Sequence, residues 1–542
     1  MKNMKKILAI SMVAAFIMPV FLLAHPGEVI KAFNCPGNFP TGLAFDGEYL
    51  WLADRKDQAL YCIDPSSGAV VRSIPSPAYW PTGLAWDGEY LWAADVKGGL
   101  PLSENYHGKI YQISPSDGNV VKVLEAPTGR PRDLAWDGRY LWCVDEGADE
   151  IIQFSPEDGT TIKTLRSPAN DPRGLAFDGT YLWVSDRMLD EVYMVDPTNG
   201  QVLIITDAPG AFTRGLAWDG EFIWAADSQE DKLFCMKGLD DDLYVLKNER
   251  HARVTYTHVL TNFGPGRMLE ADIHIAVPVD RDNQVIEKIE YADDYKDFVT
   301  DESGQKTVHY RFANVKAGEK VEAQMVTTAK LYEIRYFIDP LKVGGLDEMP
   351  DDIPKVYYEN NEKYQMDHPV IADAVKKVVG DEQNPYWIAR KIYNFLMDAM
   401  YYEMTGGWNT APTVLARGNG SCSEYSFVYI SMCRAAGLPA RYVGSVVVRG
   451  DDDSMDDVFH RWVEVYLPNY GWIPVDPSGG DQALPRNQAN YFGHLSNRFL
   501  ITTESAGGSE TMEWTYNSNE FYSTEPKTFV TSDHFADWKP LD

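Results

Sequence analysis

Twelve-residue blocks in which apolar and polar side chains follow one fixed order dominate the first half of the chain. LAFDGEYLWLAD at 43–54 returns as LAWDGEYLWAAD (84–95), LAWDGRYLWCVD (134–145), LAFDGTYLWVSD (175–186) and LAWDGEFIWAAD (216–227). Successive starts are 41, 50, 41 and 41 residues apart, and the longer step holds an extra segment, KGGLPLSENYHGK, at 97–109. Within each unit the order predicts four short strands: GLAWDG, YLWAAD, a segment such as KIYQI and one such as VVKVL. Asp-Gly between the first two signals a tight hairpin, and Asp-Pro-x-x-Gly-type turns join the last two. Four strands per unit of about forty residues is the signature of a β-propeller.

The ends of the array predict how it closes. The fifth unit has only three strands and ends at KLFCMK (232–237), whereas GEVIKAFNCPGNFPTG at 27–42 aligns without gaps to GAVVRSIPSPAYWPTG at 68–83. The N-terminal strand then supplies the missing outer strand, giving five blades over residues 25–240. Cys35 trails that strand and Cys235 sits on its expected neighbour. A disulfide there could lock the ring, against the commoner reading of buried free thiols. Asp54, Asp95, Asp145, Asp186 and Asp227 could line a channel or hold a cation, but their recurrence in every unit favours turns and blade-to-blade hydrogen bonds. Trp51, Trp92, Trp142, Trp183 and Trp224 read as blade packing rather than a carbohydrate platform. In repeat form alone the array resembles the NHL and glutamine-cyclotransferase-like propellers, and a protein or a glycan is the kind of ligand such a ring could take.

A second β region covers 241–338. RVTYTHVL (253–260), ADIHIAVPV (271–279), TVHYRFANV (307–315) and KVEAQMVTT (320–328) alternate with turns rich in Gly, Asp and Asn, which predicts a small immunoglobulin-like sandwich. His251, His258, His274 and His309 fall within it without the tight spacing of a zinc site. Residues 339–368 are polar and acidic and read as a linker or lid. The remaining 369–542 form one further unit, in which FLITT and MEWTY near the end could add strands to its sheet.

That last unit carries the chemistry. It contains GNGSCSEYSFVYISMCRAAGLPAR, then HRWVEVY, then YGWIPVDPSGG. Gly418 and Gly420 allow a tight turn before Cys422. Tyr425, Val428 and Met432 then recur at helical spacing until Gly437 and Pro439 end the run. A thiol at a helix N-terminus meets the positive end of the dipole, which lowers its pKa. His460 opens an alternating strand, and Asp476 lies on the next one after an Asn469-Tyr470-Gly471 turn. A hairpin of this kind carries a base and its orienting carboxylate together, facing the helix that bears the nucleophile, as papain-like thiol chemistry requires.

These blocks resemble the transglutaminase-like superfamily, whose core reads G-x-C, a helix ending G-[IL]-P-A-R, then H-x-W-V-E-V and G-W-x-P-x-D-P. GSC at 420–422, GLPAR at 437–441, HRWVEV at 460–465 and GWIPVDP at 471–477 carry the likeness, with the helix from Pro385 to about Met400 and Tyr401-Tyr402 as lead-in. The resemblance covers roughly 350–500 and implies a papain-like core with a Cys422–His460–Asp476 triad. It also implies an oxyanion donor at Tyr401 or Tyr402, beside the safer Cys422 backbone N–H. Trp408, in a Gly-rich loop, could border the acyl-donor pocket. DDDSMDD at 451–457 could bind calcium, as some animal transglutaminases do, but lacks EF-hand order and reads better as a solvated loop. No cofactor and no metal are expected.

Composition narrows the setting. Lys2, Lys5 and Lys6 precede an apolar run from Ile7 to Ala24, which reads as a cleaved signal peptide (1–24); retention as a single anchor is the alternative. Cleavage removes three lysines and no acids, moving the net charge from −31 to −34. Such an acidic chain is a poor partner for nucleic acid. Cys422 and Cys433 lie eleven residues apart on one helix, roughly 16 Å, too far to bridge. The reading is an exported thiol enzyme, periplasmic, cell-surface or secreted, with no stable membrane span after cleavage. It would perform acyl transfer or amide hydrolysis on protein or peptide substrates, hydrolysis against cross-linking being left open. The alternative is a non-catalytic surface protein in which propeller and sandwich carry the function.

Overall fold

The computed structural model describes residues 25–96, 108–239, 241–404, 407–450 and 453–541. The signal peptide and most of the 97–109 insertion lie outside the described residues. Five four-stranded antiparallel sheets form the N-terminal half. Their innermost strands touch in ring order, the fifth meeting the first. This is a closed five-bladed propeller.

The repeated residues explain why each blade forms. At the hairpin, Asp46 accepts the N–H groups of Glu48 and Tyr49 and, at 2.8 Å, the indole N–H of Trp51. Asp87, Asp137, Asp178 and Asp219 hold Trp92, Trp142, Trp183 and Trp224 in the same way. Each indole is thus buried with its one donor satisfied, which an apolar pocket alone would not provide. Gly47 follows at φ +98°, a backbone state that side chains resist, so Asp-Gly is required at the turn. The second recurring aspartate serves turns too: Asp227 takes N–H groups from Phe212, Gln229 and Glu230.

The ring axis is filled by an exception to the repeat. Gly42, Gly83, Gly174 and Gly215 sit where the innermost strands converge, and a Cβ on Gly42 would lie 2.4 Å from the Gly83 Cα. The third unit has Asp133 there instead. Its fully buried side chain accepts N–H groups of Leu84 (3.2 Å), Leu175 (2.8 Å) and Leu216 (3.0 Å), so it ties the second, fourth and fifth blades to its own.

The fifth blade closes with strands from both ends: Val29–Asn34 pairs antiparallel with Lys232–Lys237. The register excludes the candidate disulfide and leaves the free thiols that the sequence favoured. Cys235 faces Lys31, while the Cys35 N–H bonds to the Asp231 carbonyl. The two thiols are therefore offset by four residues, roughly 13 Å along the strands and beyond disulfide reach. Both cysteines are free, as are the other four.

Beyond the ring lies a two-sheet sandwich. One sheet runs in the order Gln284–Tyr291, Lys320–Tyr336, Tyr244–Gly264, Phe529–Pro540, and the other Tyr295–Thr300, Lys306–Val315, Met268–Ala276, Ser518–Thr524. The C-terminal tail departs from expectation here. Phe499–Ser505 does join the core sheet beside Ala440–Val447, but the two strands of 518–540 return to the sandwich. Ala536 and Trp538 are buried there, alternating with exposed neighbours. MEWTY forms a turn region rather than a strand. A lone edge strand cannot declare its partner locally; the unpaired edge of the 21-residue strand Tyr244–Gly264 claims it.

The α+β core stacks helices Pro385–Ala399 and Cys422–Ala435 on a sheet ordered Gly471–Val475, His460–Leu467, Ala440–Val447, Phe499–Ser505. Residues 339–368 are packed rather than lid-like: Tyr364 is buried and donates to the Ala506 carbonyl, and Arg434 holds the Glu359 carbonyl. The fourth blade docks directly on the core. Met194 and Ile204 share one apolar cluster with Ile388, Tyr386 and Phe492, and Arg390 donates to the Val202 carbonyl.

Candidate active site

Local sequence sets the place of Cys422. Helix Ala411–Arg417 stops at Gly418, whose φ of +78° turns the chain. Asn419–Gly420 then pairs with Tyr401–Tyr402, and Cys422 opens the next helix. A fully buried carboxylate secures this bend. Glu424 accepts the Asn409 N–H and side-chain amide, the Ser421 N–H and the Arg417 guanidinium. Burial works against its charge, but these donors hold its pKa below the ordinary range.

His460 begins one strand and Asp476 follows the next. The imidazole Nε2–H donates to Asp476 Oδ2 at 2.7 Å, which leaves Nδ1 without that partner, and the Cys422 thiol is a further group that raises the imidazole pKa. Asp476 is fixed in turn by the Ser478 hydroxyl (2.7 Å) and the N–H groups of Ser478 and Gly479, both 3.0 Å. The electrostatics form one coupled set. Burial disfavours the Cys422 thiolate, yet His460 and the Arg461 backbone N–H outweigh it and lower the thiol pKa. Burial likewise opposes the imidazolium, but the Asp476 carboxylate raises the His460 pKa strongly. Asp476, also penalised by burial, is held low by His460 and Ser478. All three shifts favour a thiolate–imidazolium pair.

The other predicted residues divide. Tyr402 lines the cavity in front of Cys422, whereas the Tyr401 hydroxyl is taken by Asn419. Trp408 lines the same cavity; its backbone sits at φ +23°, with its carbonyl held by Lys363 Nζ at 2.8 Å. In the acidic loop, buried Asp456 accepts the N–H groups of Val447, Val458 and Phe459 and pairs with Arg449 at 2.9 Å. It shapes the approach to His460. Asp451 and Asp452 lie outside the described residues. Among those described, no three His, Cys, Asp or Glu side chains gather as a metal site.

Several contributors escaped sequence reasoning. Arg461 is completely buried, its guanidinium ringed by Tyr516, Tyr442, Trp408 and Phe427 at 4.3–5.4 Å from their centroids. It donates to the Trp514 carbonyl at 2.6 Å, while its Nε and Nη1 have no partner. This cation thus lies beside Cys422 with no carboxylate paired to it among the described residues. Glu464 of HRWVEV and Arg441 of GLPAR pair at 2.7 Å and, with Arg281, bind core to sandwich. The only advance signal was that these charges recur inside otherwise apolar strands.

Two cavities flank the triad. One of about 320 Å³ contains Cys422, Tyr402, Trp408, Asp457, Glu520 and His534. The other, about 350 Å³, is lined by His460, Asp476, Arg486, Asn490, His494 and Arg498. Ser518, Glu520 and His534 come from the returning tail, so the sandwich builds a wall of the Cys422 cavity.

A thiol helix facing a His–Asp hairpin places the core in a known class. Residues 372–477 match the model of the transglutaminase-like superfamily, and this segment is a transglutaminase-like domain. An uncharacterized protein of Haemophilus influenzae is 23% identical over 245 residues, 39% of this chain and 64% of its own length. The uncharacterized protein YebA of Bacillus subtilis is 32% identical over 71 residues, 11% of this chain and 10% of its own. Among solved structures, one from Cytophaga hutchinsonii described as a "Putative Cysteine Protease" shares 16% identity, 55% of this chain and 93% of that one, at a TM-score of 0.41. Glutaminyl cyclase of Myxococcus xanthus shares 18% identity, 39% of this chain and 97% of that one, at 0.34.

Proposed function

We propose that this protein is an exported thiol enzyme that performs acyl transfer or amide hydrolysis on protein or peptide substrates, with Cys422 as nucleophile. The observation that carries the reading is His460, bonded to Asp476 at 2.7 Å through Nε2 and close enough to Cys422 that imidazole and thiol shift each other toward the ion pair. In the first step the Cys422 sulfur bonds to the carbonyl carbon, the C–N bond breaks, and His460 gives its proton to the leaving amine. In the second, water or an amine attacks the thioester, its proton passes to His460, and the thiolate leaves. The Cys422 N–H, at the first position of its helix, and the Tyr402 hydroxyl are the oxyanion donors we assign. None of these steps calls on a metal or cofactor. Export rests on the Lys-rich, then apolar, first 24 residues; among the described residues no helix is long and apolar enough to cross a membrane.

The test is intact-protein mass spectrometry after incubation with an iodoacetamide probe and with glutamine peptides. One adduct at Cys422, formed before any at the other five cysteines, and none in Cys422→Ala, is the expected result. Preferential labelling of Cys433 or of a propeller cysteine overturns it.

A further inference from the structure

The two sides of the triad differ in which charges are already paired. On the His460 side Arg486 is paired with Glu191 and His494 with Glu333, whereas the carboxylates on the Cys422 side have no lysine or arginine partner among the described residues. His460 must face the leaving amine to protonate it, so the amine side of a bound chain extends over the cavity lined by Arg486, His494 and Arg498. The acyl side then lies over Cys422. There the cavity wall offers two carboxylates, Asp457 and Glu520, among Tyr402, Trp408, Phe459 and Tyr516, with the fully buried Arg461 guanidinium set behind the Trp408 and Tyr516 rings. Asp457 is exposed. Glu520 has no lysine or arginine partner among the described residues: burial raises its pKa above the ordinary carboxylate range against the Ser532 hydroxyl and His534, and His258 lies at 3.5 Å. Burial holds the His258 pKa down to about 3, so at neutral pH it contributes no compensating charge.

This acidic character continues outward. Trp408 and Thr515 border both the Cys422 cavity and a groove of about 990 Å³. The groove carries Asp301, Glu302, Glu362, Glu510 and Glu513 against one cation, Lys363, whose ammonium is turned onto the Trp408 carbonyl. Thr511, only 7% exposed, also lines it, and its hydroxyl has no hydrogen-bond partner. Asp301 accepts the N–H groups of Ser303 and Gln305 and Glu362 the indole N–H of Trp514, but none of these carboxylates has a cationic partner among the described residues. An open groove of such carboxylates with aromatic walls and an unused buried hydroxyl matches a peptide chain bearing ammonium or guanidinium groups.

Building on the acyl-transfer reading, we infer that the acyl side of the substrate is a basic polypeptide segment. A lysine or arginine side chain sits between Asp457 and Glu520 beside Cys422, and the chain continues along the groove past Trp408. Group transfer is the one already described, so no further reactant is needed.

Two measurements on the full chain test this. In Cys422→Ala, fluorescence anisotropy compares labelled peptides that are lysine-containing, glutamate-containing or uncharged but otherwise alike. Asp457→Asn with Glu520→Gln should weaken the lysine peptide about tenfold. The same number of charges removed from exposed propeller turns, Glu48→Gln with Glu89→Gln, should change it less than twofold. In the chain with Cys422 intact, the ratio of iodoacetate to iodoacetamide alkylation at Cys422 should rise about three- to tenfold in the cavity double variant. That ratio cancels any change in thiolate fraction. Equal weakening by both pairs of substitutions, equal binding of all three peptides, or an unchanged ratio overturns the inference. Iodoacetamide labelling alone reports on the nucleophile: if Cys422 is not the reactive thiol the acyl-transfer reading fails, whereas a reactive Cys422 with charge-blind peptide binding sinks only the basic-substrate assignment.

Discussion

Asp476→Asn isolates what the carboxylate contributes to the thiolate–imidazolium pair. The hydrogen bond from His460 Nε2 is 2.7 Å long, which puts the two charge centres about 4 Å apart. At an effective dielectric near 20 that attraction is about 4 kcal/mol, or about three pKa units on the imidazole. An asparagine oxygen still accepts the N–H, so the net fall in the His460 pKa should be about one to three units. The signs then run through the pair. In the intact site the lowered Cys422 value means thiolate appears early as pH rises, and the raised His460 value means its positive charge is lost only at high pH. Alkylation of Cys422 by iodoacetamide should therefore climb through a pKa below the ordinary thiol value and stay flat across neutrality. Without the carboxylate the imidazolium titrates earlier and the thiol later, closing the window from both sides. At pH 6 the alkylation rate should drop tenfold or more, with a partial return by pH 9. Turnover should fall more steeply, because the neutral imidazole cannot protonate the leaving amine. Asp476 also pins Ser478 and Gly479, so the variant's unfolding curve must be recorded beside the rates. A folded variant with an unchanged alkylation profile would refute the coupling.

The unpaired Arg461 should act on the same thiol: Arg461→Met is expected to move the alkylation midpoint upward by about one unit, even in a His460→Ala background, and no movement would assign the guanidinium to packing alone. Asp133→Gly restores the repeat yet orphans three buried N–H groups, so chemical denaturation should show a loss of roughly 3 kcal/mol or more; a neutral result would mean water replaces the carboxylate. Deleting residues 25–36 removes the outer strand of the fifth blade and exposes Lys232–Lys237 as an edge. The ring should lose stability as a whole in hydrogen exchange, whereas fraying confined to one blade would contradict closure by that strand. Activity should persist in EDTA, since Asp456 already spends its carboxylate on Arg449 and three N–H groups; complete loss restored by calcium would make the 451–457 loop a metal site.

Much of this molecule is written locally. The five Asp-Gly hairpins, their buried tryptophans and the missing outer strand of the last blade each depend on contacts within one forty-residue unit, or on an ungapped match to it. The closed ring could therefore be read from the chain. The same holds for Cys422 at a helix start and for His460 and Asp476 on adjacent strands, because turn glycines and strand alternation place them within a few residues of their supports. Residues whose partners are remote were not legible in this way. Whether Cys35 could reach Cys235 turned on a strand register, set by Lys31 facing Cys235 across two hundred residues of chain. Strand Phe529–Pro540 could have extended the core sheet or the sandwich, and only the free edge of Tyr244–Gly264 decides between them. That choice carries Glu520 and His534 to the nucleophile's cavity. Arg461 and Asp133 have no local signature that separates them from the other charge in their strands, Glu464 and Arg132, because a buried charge is defined by what surrounds it. Long-range pairing and the electrostatics of burial belong to the folded chain, since neither exists until distant segments have excluded water together.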